Sequence, residues 1–165
     1  MSRGRVTALL AALLSCSAGP LLAQGDGAGT GTRFGVSFGG ISTVGVVIEF
    51  FDDQRSLEIG LGTWSFRDLS VSTVVKQYFL DASAQPFVGA GLWAVVAAPG
   101  DERTGLALVL RAPLGVDWAM TGDHALGAVL NLNRALAVRR SDPEDDMPLN
   151  RRIVPLPELY YRFTR

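Results

Sequence analysis

The sequence predicts an all-β fold, an eight-stranded antiparallel up-and-down transmembrane β-barrel, and three observations carry that expectation. Apolar and polar residues alternate with period two in eight segments from Arg33 onward, which is how strands with one apolar face read. Outside the N-terminus no apolar run approaches the roughly 20 residues that a transmembrane helix needs. The first residues also read as an export signal. At 165 residues and 48 % hydrophobic content it fits one folded unit, not a disordered polypeptide.

Residues 1–23 read as a signal peptide: Arg3 and Arg5 supply the positive start, residues 6–14 the apolar stretch, and Leu21-Leu22-Ala23 the cleavage site before Gln24. Leu13-Leu14-Ser15-Cys16 also resembles a lipoprotein processing site, which would leave Cys16 as a lipid-bearing first residue. Cys16 is the only cysteine, so no intramolecular disulfide can form. Residues 24–32 are expected to be a flexible glycine-rich N-terminus, and residues 33–165 the barrel domain. The formal net charge of -1 lacks the clustered basic excess that nucleic-acid binding requires.

The strands are expected at 33–40, 43–51, 56–66, 69–80, 86–97, 105–119, 124–137 and 151–164. Most approach the roughly 9 to 11 residues that a tilted strand needs to cross a bilayer. In the second, Val44, Val46, Ile48 and Phe50 oppose Glu49; in the third, Leu57, Ile59 and Leu61 oppose Glu58 and Gly60. The fourth sets Val71, Thr73, Val75 and Phe79 against Ser70, Ser72, Lys76 and Tyr78. The fifth carries no charge, which leaves the facing of Phe87 and Trp93 open. In the sixth, Leu106, Leu108, Leu110, Leu114, Val116 and Trp118 oppose Arg111, Gly115 and Asp117. In the seventh, Leu126, Ala128, Leu130, Leu132 and Leu136 oppose Gly127, Asn131 and Asn133, and in the eighth Leu159, Tyr161 and Phe163 oppose Glu158 and Arg162.

Alternation alone fits a half-exposed soluble sheet as well as a membrane barrel. The aliphatic faces, aromatics near strand ends, and a polar face mixing Gly, Asn and Ser with isolated charges of both signs favour the membrane barrel. An eight-stranded barrel is just wide enough for its inward side chains to fill it, so Glu49, Glu58, Lys76, Arg111, Asp117, Glu158 and Arg162 form the expected polar lumen network. Parity fixes the face and not the register, so no individual pair follows. Arg134 falls on the apolar parity near an outer strand end, within reach of lipid phosphate, and Gln77 near an inner end. The even-numbered strands are followed by compact polar turns, while 139–150 is the longest connection, as when both termini face the periplasm.

Tyr78-Phe79-Leu80, a short turn and then Pro86-Phe87-Val88-Gly89-Ala90-Gly91-Leu92 resemble a hairpin of the small outer-membrane barrels that include OmpX-like, OmpW-like and opacity-type proteins. Leu114-Gly115-Val116-Asp117-Trp118 followed by Thr121-Gly122-Asp123 resembles their later hairpin. The ending Glu158-Leu159-Tyr160-Tyr161-Arg162-Phe163 is similar to the terminal strand that their assembly machinery recognises, although here Thr164 and Arg165 follow the aromatic. The resemblance implies the cell outer membrane of a Gram-negative bacterium, a monomer surrounded by lipid and lipopolysaccharide, and no shared catalytic or binding residues.

No phosphate-cradling loop or Cys/His metal cluster is present, and Asp142, Glu144, Asp145 and Asp146 lack calcium-loop spacing, so no cofactor or metal is expected. The only histidine, His124, reads as an interfacial polar residue at a periplasmic turn and not as a general base, so no enzyme is expected. An open porin usually needs about 16 strands. Three roles stay open: a structural or surface-interaction barrel, a passage or binding site for small hydrophobic molecules, and a soluble secreted lipocalin-like carrier.

Overall fold

The computed structural model describes residues 30–97, 104–121, 123–140 and 149–165. The expected signal peptide with Cys16, most of the glycine-rich stretch, and Asp142, Glu144, Asp145 and Asp146 lie outside the described residues. Within them the chain is all-β, with β1 (Gly31–Gly39), β2 (Ser42–Asp52), β3 (Arg55–Thr63), β4 (Asp68–Tyr78), β5 (Ala84–Ala97), β6 (Gly105–Thr121), β7 (His124–Arg139) and β8 (Val154–Thr164). Consecutive strands pair antiparallel and β8 returns to β1, closing an eight-stranded up-and-down barrel.

Several boundaries differ from those read in the sequence, each for a local reason. Gly31 and Thr32 belong to β1, not to a flexible leader, because they pair with Phe51 and Phe50. β3 ends at Thr63 because the Asp68 carboxylate accepts the Thr63 hydroxyl at 2.7 Å and the Trp64 N–H at 2.8 Å, folding the chain into a turn. β8 starts at Val154, not at residue 151, because the Asn150 side chain accepts the Arg152 N–H at 3.1 Å and makes an Asx turn.

The start of β1, the end of β8 and the β2–β3, β4–β5 and β6–β7 junctions lie at one end of the barrel, here the terminal end; the β1–β2 and β3–β4 turns lie at the far end. The wall is uneven at the far end. β6 and β7 pair up to Leu106 and Arg139, whereas β7 and β8 stop at Asn133 and Val154, and β1 and β8 stop at Gly39 and Glu158. The β1–β2 turn uses Gly39 and Gly40 at φ 80° and 69°, a left-handed conformation that a side chain would strain. The Gly40 N–H donates to the Pro157 carbonyl at 2.8 Å, so the backbone of Pro157, and of Pro155 on the same parity, faces the side where β1 has ended. Their missing N–H groups therefore cost no ladder bond.

The wall is apolar outside and polar inside. Val46, Ile48, Ile59, Leu61, Val75, Leu110, Leu114, Leu126, Leu130 and Leu159 are all exposed on the outer face. Phe87 and Trp93 of β5, whose facing the sequence left open, are buried inside.

Candidate functional site

The structure places all seven charged residues read from the sequence inside the barrel, each at 5 % exposure or less. Five strands contribute them, and each points inward because it lies on the parity opposite an aliphatic neighbour. Charges taken out of water cost several kcal/mol apiece unless they are paired with good geometry. Here they are paired continuously.

Arg162 is the hub. Its Nη1 lies 2.7 Å from Glu49 Oε2 and 3.4 Å from Asp117 Oδ2, while its Nη2 donates to Glu58 Oε2. Lys76 Nζ donates to Glu58 Oε2 at 2.5 Å and lies 3.5 Å from Glu49 Oε1. Arg111 extends the network toward the far end: Nη1 is 3.4 Å from Glu58, Nη2 donates to Glu158 Oε2 at 3.0 Å, and Nε donates to Asn131 Oδ1 at 2.7 Å. The Asn131 amide in turn donates to Glu158 at 2.6 Å. Above this pair sits Gly40, where a Cβ would meet Glu158 Oε2 at 2.5 Å, so the glycine turn closes directly over the carboxylate.

Further residues complete the network. Arg33 reaches in at the terminal end, 3.8 Å from Glu49 and 3.9 Å from Asp117, and is the fourth cation for four carboxylates. Its parity with Gly35 and Ser37, opposite Phe34, Val36 and Phe38, carries in β1 the signal that marks the other strands. The Ser56 hydroxyl donates to Glu49 Oε1 at 2.5 Å. The Tyr78 hydroxyl lies 2.8 Å from Glu49 and 3.0 Å from Asp117, donating to one carboxylate at a time.

Aromatic rings pack among the charges in the lower lumen. Tyr78, Phe87 and Tyr160 cluster with Val129, and Arg162 stacks on Tyr160 at 3.8 Å while Lys76 sits 4.7 Å from the Phe87 ring centre. Phe87 and Tyr160 lie opposite Gly115 and Gly127 on the neighbouring strands, and a Cβ on either glycine would overlap the ring. These inward glycines are thus seats for aromatic rings. At the far end Ile41, Trp93 and Val109 pack with Val95 and Leu156 as an apolar layer. At the terminal end the lumen opens in a mouth of about 660 Å³, bordered by Arg33, Phe51, Arg55, Tyr78 and Gln85.

The arrangement commits its ionised groups to one another, with four carboxylates balanced by four cations, and so acts as a plug that ties six strands together. His124 lies outside this interior, exposed at the terminal end, with Nδ1 2.5 Å from the Tyr161 hydroxyl and the two rings stacked. Arg134 is exposed on the outer face opposite Leu110, and Gln77 bonds Arg55 at 3.3 Å beside the β2–β3 turn. No protein-family model, no curated protein and no solved structure matches this chain, so its function has to be read from the barrel's own chemistry.

Proposed function

We propose that the chain is an exported, non-enzymatic β-barrel of the bacterial outer membrane, with a structural or surface-interaction role and a side-chain-filled lumen. The observation that carries this reading is the inverted polarity of the wall, with Arg162, Glu49 and Glu58 inside and Ile48, Ile59, Leu114 and Leu130 outside. A soluble monomer rarely exposes a contiguous apolar patch beyond roughly 300–600 Å². A lipid bilayer turns the same band into buried surface. A lipocalin-like carrier needs the opposite arrangement, leucines inside around a ligand, whereas here a charged network and aromatic rings occupy the lumen.

In this reading the terminal end faces the periplasm and the far end the cell exterior. Tyr161 and Phe163 of β8 offer exposed aromatics, at 37 % and 42 %, to the barrel assembly machinery and then to the lipid interface. The test is fractionation of cells that express the full chain, followed by carbonate and urea washes of the membranes. The protein is expected to stay with the outer membrane, and its recovery in the soluble fraction would overturn the proposal.

A further inference from the structure

The outer wall is not a uniform apolar band. Across β6, β7, β8 and β1 it carries a groove of about 550 Å³. Its floor is Ala128 and Pro157, and its banks are Phe38 with Leu159 on one side and Leu114 with Leu130 on the other. The register explains the shape. Leu159 pairs with both Phe38 and Ala128, and Leu130 pairs with both Pro157 and Leu114, so two small floor residues lie between four large side chains on the same face.

Four residues above Leu130 on the same strand and face stands Arg134, about 13 Å higher at the usual rise per strand residue. Between them Leu132 pairs with Ala112 and Pro155, so small side chains flank the path from Arg134 down to the groove. Among the described residues, Arg134 is the only charge on the outer face that is not at a strand's first or last position. It is exposed, no acidic side chain of the described residues pairs with it, and β8 has ended at Val154 opposite Asn133. A cation on an apolar face above an apolar channel matches a molecule with an anionic head and a hydrocarbon tail.

We infer that this wall holds one anionic, phosphate-bearing lipid of the outer leaflet, its phosphate on Arg134 and an acyl chain in the groove over Ala128 and Pro157. The inference rests on the membrane reading proposed above and adds a specific ligand to it. The guanidinium offers a planar fork to phosphate oxygens, and the chain covers floor residues that bulk lipid meets only transiently. Bound in this way, the lipid would brace the low part of the wall, where the β1–β8 ladder is short.

The test uses the full chain folded in detergent micelles and titrated with dimyristoyl phosphatidylglycerol, with bound lipid counted by native mass spectrometry. One retained lipid per barrel is expected. Arg134→Gln should weaken retention by about tenfold or more, the change expected from losing a charge-assisted hydrogen bond. Arg134→Lys should retain part of the affinity, Ala128→Phe should block the groove, and Arg67→Gln should leave binding unchanged. Phosphatidylcholine with the same chains should bind more weakly, and inorganic phosphate should not compete. Equal retention by wild type, Arg134→Gln and Ala128→Phe overturns the lipid site, as does displacement by inorganic phosphate. A chain that folds in micelles and retains no lipid overturns this inference alone, whereas one that is folded and soluble without detergent overturns the membrane reading with it.

Discussion

A guanidinium taken out of water costs several kcal/mol, and Arg162 recovers this through Glu49, Glu58 and Asp117 and through the face of Tyr160. Arg162→Met would leave these carboxylates short of one cation and is expected to destabilise the folded barrel by about 3–5 kcal/mol, the cost of breaking a buried pair. Urea titration of the protein folded in lipid vesicles, followed by tryptophan fluorescence, measures it. Glu58→Gln in the same chain should remove part of the excess negative charge, so the double variant should cost less than the sum of the singles. Strict additivity would show that the two residues do not interact. That these residues face inward was legible from Arg162 and Glu58 each standing opposite aliphatic neighbours. Their partnership was not, because β3 and β8 are not adjacent and the pair lies 104 residues apart, so it depends on the closure of the whole barrel.

At the scale of the element, each strand advertises its two faces only as strongly as its two polarities differ. β2, β3, β4, β6, β7 and β8 each carry an inward charge or amide, and their faces were readable. β5 contributes Phe87 and Trp93 to the aromatic and apolar layers of the lumen, which are as hydrophobic as the wall outside, so its alternation vanishes although its geometry is the same. Strand depth is a second thing that parity cannot supply. Leu110, exposed on β6, is the cross-strand partner of Arg134, which puts it level with a charge and not at the centre of the apolar band. Ile59 is the better probe of the centre, since it is the middle residue of β3 and pairs with Ile48 and Thr73. Ile59→Arg is expected to cost roughly 2 to 4 kcal/mol, the price of an arginine at the bilayer midplane. The folded fraction, read from the mobility of unheated against boiled samples, should fall accordingly, while Ile59→Val should assemble normally. Normal assembly of Ile59→Arg would show that this face does not meet hydrocarbon.

Across the whole molecule the lumen is closed at successive depths. Entering from the terminal end, the mouth narrows at Arg33 and Tyr78, then meets the salt-bridge network with the rings of Phe87 and Tyr160 packed among its charges, and finally Ile41, Trp93 and Val109. Eight strands enclose little more space than their inward side chains fill. The charges themselves would bind ions well, yet their mutual pairing leaves none free to conduct one, and the rings fill space between them. The wild-type protein reconstituted in planar bilayers is therefore expected to insert without a steady conductance. Phe87→Ala combined with Tyr160→Ala removes two of the rings but keeps every salt bridge and the far-end layer, so it should admit water to the lower lumen and still not conduct steadily. The two outcomes separate the layers: conductance in the double variant alone would place the seal in the rings, and a large, steady conductance in the wild type would mean that the charged plug moves aside, which a filled lumen does not allow.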